Sequence, residues 1–342
     1  MFLTARIAGA SLAAFLAALI LGPWVIAWLK KRFRERIASA SETLNELHAD
    51  KQDTPTMGGI FVMAAVVIST VLFADLSSTY VAVGCFVVLS LTLLGSADDW
   101  IKQRTEFNGL TVRRKLAAQC AIAAAAGIML YFEQREREFG TDLVWPLGNL
   151  ALPLGSLFVL WSLLVIVGSS NAVNLTDGLD GLAAGCTILA AGAFTAICYL
   201  SGHREFADYL RIPFFSGSGE LAVMLGALVG AMLGFLWFNG FPAQVFMGDA
   251  GSLPTGGLLA VAALVVRQEV LLVIIGGVFV VETLSVILQV GGYKLTGKRL
   301  LRCSPLHNHF VFRGDPETQI VIRFWIAAAV LAIIGMGCLK LH

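Results

Sequence analysis

Asp98 and Asp99 stand side by side in Leu94-Gly-Ser-Ala-Asp-Asp-Trp100, where a long apolar run ends. Adjacent carboxylates at the edge of a low-dielectric region repel each other, and a cation or a proton relieves that repulsion. Asn171, Asn174, Asp177 and Asp180 recur every third residue in Asn171-Ala-Val-Asn-Leu-Thr-Asp-Gly-Leu-Asp-Gly181, a spacing that lines them along one side if the segment is helical. Gly178 and Gly181 permit close backbone approach there. Asp249 lies between Gly248 and Gly251 in Val245-Phe-Met-Gly-Asp-Ala-Gly-Ser252; the two glycines let the backbone bend around a phosphate or metal, and Ser252 can cap a following helix. His307 and His309 are spaced i, i+2, which in an extended loop puts both rings on one side. Zinc would need further His or Cys ligands and only Cys303 is near, so contact with phosphate beside Arg299 and Arg302 is the better reading of the pair.

Carboxylates with water and phosphate oxygens are what Mg²⁺ takes, and basic groups are what phosphates take. The chemistry these clusters imply is Mg²⁺-assisted transfer of a phosphate-linked group. That requires one surface on which all of them meet.

The rest of the chain supplies such a surface. Of the 342 residues, 57% are apolar and only 14% charged, against about 25% charged in soluble domains. This excludes a soluble two-domain enzyme and a disordered chain, and the net charge of +1 excludes a basic nucleic-acid binder. The six cysteines (Cys85, Cys120, Cys186, Cys198, Cys303 and Cys338) form no C-x-x-C pair, which excludes a disulfide scaffold and leaves the redox compartment open. Ten segments are long and apolar enough, or nearly so, to span a bilayer: roughly 5–29, 58–74, 80–97, 116–132, 152–170, 182–200, 220–238, 254–266, 270–290 and 320–339. The expected fold class is therefore all-α, a polytopic membrane protein of about ten helices. The first segment runs to Leu29 without a convincing cleavage site, so it is expected to remain as a helix.

Sixteen of the 24 Lys and Arg fall in the loops after spans one and three and before span ten, which places those loops in the cytoplasm and both termini on the outer side. With that topology every cluster above faces the cytoplasm. One domain, 1–342, is expected, its active site built from loops 30–57, 98–115, 171–181, 239–253 and 291–319.

Five motifs then carry a resemblance: Thr54-Pro-Thr-Met-Gly-Gly59, Asp98-Asp-Trp-Ile-Lys102, Asn171 to Gly181, Gln244-Val-Phe-Met-Gly-Asp249 with Gly251-Ser252, and Pro305-Leu-His-Asn-His-Phe310. In these motifs and their order the chain resembles the polyprenyl-phosphate N-acetylhexosamine-1-phosphate transferases, and within them the branch that uses a phospho-N-acetylmuramoyl-pentapeptide donor. The resemblance implies that undecaprenyl phosphate, a membrane lipid, attacks UDP-N-acetylmuramoyl-pentapeptide at the bacterial inner membrane, giving lipid I and UMP. It makes Asp249 the principal Mg²⁺ ligand with support from Asp177, and Asp98 a base or orienting group for the lipid phosphate, with Asp99 beside the metal and diphosphate. Lys51, Asn174, Gly178, Leu179, Asp180 and Phe246 would form the nucleoside side, Phe246 stacking on uracil. Lys102 and Lys115 would neutralise phosphate charge, and Asn239 and His307 would lie near the diphosphate or sugar. Thr54, Asn171 and His309 complete the substrate-contacting set.

Three residues depart from the family pattern: Asn308 interrupts a run of three histidines, Val311 replaces a common Glu, and Asp53 replaces a Gly. These bear on donor specificity, and a sibling enzyme using UDP-N-acetylglucosamine is the nearest alternative. An ion-coupled secondary transporter is the alternative of another class, disfavoured because its site would lie near mid-membrane. Whether the chain pairs as a homodimer stays open. Gly226, Gly230 and Gly234 suit close helix packing. Glu282, costly inside a span, either lines a lipid groove or pairs with a neighbouring helix.

Overall fold

A chain this apolar satisfies its backbone within a bilayer by forming helices, since hydrocarbon offers no hydrogen-bond partner. The computed structural model of the protein describes residues 2–32, 54–105, 109–146 and 150–339. Among these residues the chain forms thirteen helices and one two-stranded hairpin. They run α1 (Leu3–Arg32), α2 (Gly59–Phe73), α3 (Thr79–Arg104), α4 (Val112–Gln134), β1 (Asp142–Val144), β2 (Ala151–Pro153), α5 (Leu157–Thr176), α6 (Leu182–Ser201), α7 (Arg204–Leu210), α8 (Ser218–Asn239), α9 (Asp249–Val265), α10 (Glu269–Ile275), α11 (Gly277–Thr296), α12 (Leu306–Val311) and α13 (Glu317–Cys338).

Each of the ten expected apolar segments coincides with a helix, and eight helices are long and apolar enough to cross a membrane. The other two, α2 and α9, have 15 and 17 residues, or about 22 and 25 Å of helix. Helix α9 can be short because every one of its residues is buried: it is the central rod, packed between α3 and α5 and touching α2 and α6. Around it, α1, α3, α5, α11 and α13 keep one face in the bundle and present Leu16, Leu93, Leu160, Ile287 and Ile326 outward, as a lipid-facing wall requires.

Three boundaries differ from expectation. The ninth span is two helices, α10 and α11, joined at Gly276; two consecutive glycines there have the lowest tendency of any ordinary pair to hold helical backbone. Residues 152 and 153 belong to the hairpin, with Asp142 opposite Pro153 and Val144 opposite Ala151, and the fifth span starts at Leu157. The third span continues to Arg104, so Asp98 and Asp99 lie inside a helix.

The glycines of α8 pack as expected. Gly226 meets Ile7, Gly234 meets Phe15 and Ala18, and at Gly230 a β-carbon would collide with the backbone carbonyl of Ser11 on α1. Gly230→Leu is therefore expected to force α1 and α8 apart and cost about 1–3 kcal/mol or more of stability, seen as a lowered midpoint of thermal unfolding in detergent. Gly168→Ala, inside α5 where a β-carbon meets nothing within 4 Å, should not lower the midpoint and is expected to raise it slightly.

Candidate active site

The site forms where α9 begins. At Gly95 on α3 a β-carbon would overlap the backbone of Asp249, and at Gly59 on α2 it would overlap that of Gly251. Only hydrogen at these two positions lets α2 and α3 close on the first turn of α9. The loop ahead of that turn is fixed by backbone bonds to the Thr54–Gly59 segment: Phe246 N donates to Pro55 O (2.8 Å), Gly58 N to Phe246 O (2.8 Å) and Gly59 N to Met247 O (2.9 Å). Phe246 is half-buried on this ladder, and Thr54 Oγ1 donates to Ala243 O at 3.4 Å.

This closure brings Asp98, Asp99 and Asp249 together, with one oxygen from each within 4.8 Å of the others and side chains almost wholly buried, at 2%, 3% and 6% residue exposure. Like charges at that separation repel by about 3–4 kcal/mol per pair at an effective dielectric near 20. Two lysines offset this. Lys102 Nζ lies 2.8 Å from Asp98, 3.5 Å from Asp99 and 2.9 Å from Asp249, while Lys115 Nζ lies 3.2 Å from Asp98 and pairs also with Asp249. Backbone donors fix the remaining oxygens: Leu110 N to Asp98 Oδ1 (2.7 Å) and Ala250 N to Asp99 Oδ2 (3.0 Å). Asn174 Nδ2 donates to Asp249 Oδ1 (2.6 Å) and to Ser252 Oγ (2.8 Å). Three carboxylates against two ammonium groups leave a formal charge of −1 in a nearly dry pocket. That is a donor set for a divalent cation, and the N-terminus of α9 adds affinity for a phosphate.

Comparison with known proteins agrees with this geometry. Residues 79–267, which include all three aspartates and both lysines, match the sequence profile of glycosyl transferase family 4. A phospho-N-acetylmuramoyl-pentapeptide-transferase of Geobacter sp. (strain M21) is 46% identical over 344 aligned residues, covering 100% of this chain and 94% of the relative. One from Citrifermentans bemidjiense is 45% identical with the same coverage. The chain belongs to the phospho-N-acetylmuramoyl-pentapeptide-transferase family. As a member of that family it is a multi-pass protein of the bacterial inner membrane.

Within this family frame the other candidate residues fall into distinct places. Asp177 lies outside the three-carboxylate group: α5 ends at Thr176 and Asp177 is its C-cap, so the row at spacing three breaks before reaching Asp177 and Asp180. The carboxylates that join Asp249 come from α3 instead. Asn171 turns its amide to Gln119 on α4 (2.9 Å) and to Val167 O (2.8 Å), away from Asp249. Asp180 accepts from Ala243 N (2.9 Å), and its own N donates to Glu317 (2.8 Å). Asn239 spans the same two loops, accepting from Gly181 N (3.0 Å) and donating to Val245 O (2.9 Å). These two residues brace loops 177–181 and 239–247 against each other, with Leu179 buried beside them. Lys51 and Asp53 lie outside the described residues.

His307 and His309 do not share a side. They sit on the helical turn α12, where two residues advance about 200°. His307 is buried and faces Glu282 of α11, which lies 3.1 Å from both its Nδ1 and its backbone N. His309 Nδ1 accepts from Arg302 N at 3.2 Å on the outside of the turn. Glu282 is thus a partner of the histidine, a role the sequence signalled only through the expense of a carboxylate in a span. The opposite edge of the His307 ring abuts Gly178, where a β-carbon would collide with Nε2. Gly178→Ala is expected to displace this ring and lower stability by about 1–3 kcal/mol; in a His307→Ala background, where the ring is gone, adding Gly178→Ala should lower the unfolding midpoint much less.

Proposed function

We propose that the protein transfers phospho-N-acetylmuramoyl-pentapeptide from its UDP-linked donor to undecaprenyl phosphate, giving lipid I and UMP, with Mg²⁺ held by Asp98, Asp99 and Asp249. The observation that carries this reading is the buried three-carboxylate, two-lysine cluster at the head of α9, in a chain aligned end to end with transferases of that name. When bound, the ion would polarise the diphosphate and stabilise the departing UMP.

The chain's own residues supply positioning and charge, which is most of what phosphoryl-type transfer asks of a protein. With a divalent ion present the cluster's formal charge moves from −1 to +1, a match for an anionic diphosphate. Lys102 and Lys115 neutralise phosphate oxygens while remaining tethered to the aspartates. The lipid phosphate has a second pKa of about 6 and is largely ionised near neutral pH, so Asp98 orients the attacking group and need not remove a proton. Asn174 fixes the rotamer of Asp249. Phe246, held by the backbone ladder to Pro55 and Gly58, offers a face for uracil, and Gly178 lets the His307 ring pack against the loop that follows Asn174.

The acceptor reaches the site through an apolar groove of about 250 Å³ between α5 and α11. Leu164, Val165, Leu272 and Phe279 line it, and its near end is Ala172 and Val173. Asn174, one residue on, touches Asp249. A segment of isoprenoid chain in this groove would bring its phosphate toward the carboxylates.

In nanodiscs with Mg²⁺ and undecaprenyl phosphate, the protein should release UMP from UDP-N-acetylmuramoyl-pentapeptide and not from UDP-N-acetylglucosamine. Release with the second donor alone would reassign the substrate, a result for which Asn308 and Val311 provide the sequence grounds. No release with either would end the enzymatic reading. Asp249→Asn should lower turnover at least 1,000-fold, an estimate on the order of the loss of one transition-state charge contact, with an unfolding midpoint near wild type. Chelation by EDTA should stop UMP release, and added Mg²⁺ should restore it.

A further inference from the structure

On the face of the bundle opposite the carboxylates, a cavity of about 680 Å³ lies among the α4–β1 turn, the hairpin and α7. None of its lining takes part in the site described above. Three arginines border it: Arg137, Arg204 and Arg211. Arg137 is fixed, its guanidinium paired with Glu133 and donating to Ser216 O at 3.1 Å. Arg204 and Arg211 are exposed and form no ion pair among the described residues, although Asp208 on the same helix and Glu138 also line the cavity. Arg204 is held over the ring of Phe214, 5.7 Å from its centroid.

Two further observations mark the cavity as built for a ligand. Arg211 and Phe139 both have φ of 55°, in the left-handed region, where Gly or Asn would be less strained. Both line the cavity, so the strain is carried where an arginine and an aromatic ring are kept in place. Phe214 lines the cavity, and the exposed Trp145, Phe206 and Tyr209 are chain neighbours of the lining residues Val144, Ala207 and Asp208. Exposed Trp and Tyr at the end of a helical bundle mark the headgroup level of a bilayer, so the mouth of the cavity opens where phospholipid headgroups lie.

We infer that this cavity binds the headgroup of an anionic phospholipid, its phosphate held by Arg204 and Arg211 with Arg137 as the fixed wall. The planar guanidinium fork matches phosphate oxygens in pairs, and basic pockets at the headgroup level are lipid sites elsewhere. Glu133 cancels Arg137, so anion selectivity rests on Arg204 and Arg211, whose guanidinium forks form no ion pair among the described residues and would be opposed by the ammonium of a zwitterionic headgroup. Glu138 and Asp208 are placed to accept from headgroup hydroxyls.

The test is native mass spectrometry of the full chain, titrated in detergent with phosphatidylglycerol, phosphatidylethanolamine or inorganic phosphate. Wild type should retain one more phosphatidylglycerol than Arg204→Ala/Arg211→Ala, whose affinity for that molecule should fall at least 10-fold. Arg204→Lys/Arg211→Lys, which keeps the charge and loses the fork, should fall between them. Equal retention by wild type and both variants would overturn the inference. Equal retention of phosphatidylethanolamine would overturn its anionic selectivity, and complete displacement of the lipid by millimolar inorganic phosphate would show a site for the free anion. The unfolding midpoints of the lipid-free proteins should agree, since both arginines are exposed.

Discussion

The structure depends on bringing three carboxylates together in a place with little water. Asp98, Asp99 and Asp249 are each at most 6% exposed and come from α3 and α9, whose backbones nearly touch at Gly95. Such a cluster is unfavourable by itself, and burying a charge without a partner is among the costliest things a fold can do. Lys102 and Lys115 make it tolerable without making it neutral. The remaining negative charge is what a divalent cation can exploit, so the arrangement that strains the folded state is the one that suits the site to a metal.

The bundle is organised around this constraint. Helix α9 is buried on all sides, so lipid cannot disturb its first turn. The loops that reach the turn are held by backbone hydrogen bonds from Phe246 and Met247 to the Pro55–Gly59 strip, and by the side chains of Asn239 and Asp180. These contacts leave the donor region with few rotatable parts, and a site that works by positioning needs that rigidity. The break at Gly276 has a complementary effect on the lipid side: it divides the ninth span, so that α11 packs against α5 along an open apolar groove.

How much of this could be read from sequence follows from the range of each signal. Apolar runs are local, and all ten appear as helices. Motif residues such as Asp98, Asp249, Lys102 and Lys115 were identifiable singly, but their meeting joins positions about 150 residues apart and required the fold. The spacing of three from Asn171 to Asp180 suggests one helical face, but α5 stops at Thr176 and Asp177 is its C-cap, so the row does not continue along a single helix. The two histidines part because their segment is helical, where a spacing of two shares a side only in extended chain. The hairpin has no signature in the sequence, because three-residue strands ending in Pro153 carry almost no alternation of apolar and polar residues.

Glu282 connects these levels. A carboxylate within a span is stabilised only if something beside it donates hydrogen bonds or carries positive charge, and here the donors are the backbone N and ring of His307. That contact fixes α12 to α11, and the same ring is stopped on its other edge by Gly178. One buried glutamate thereby couples the end of the groove helix to the loop that follows Asn174, which in turn holds Asp249. The groove and the carboxylate cluster are therefore parts of one packed unit. A change at Glu282 would reach the site through the orientation of His307, with no need for the glutamate to touch a substrate.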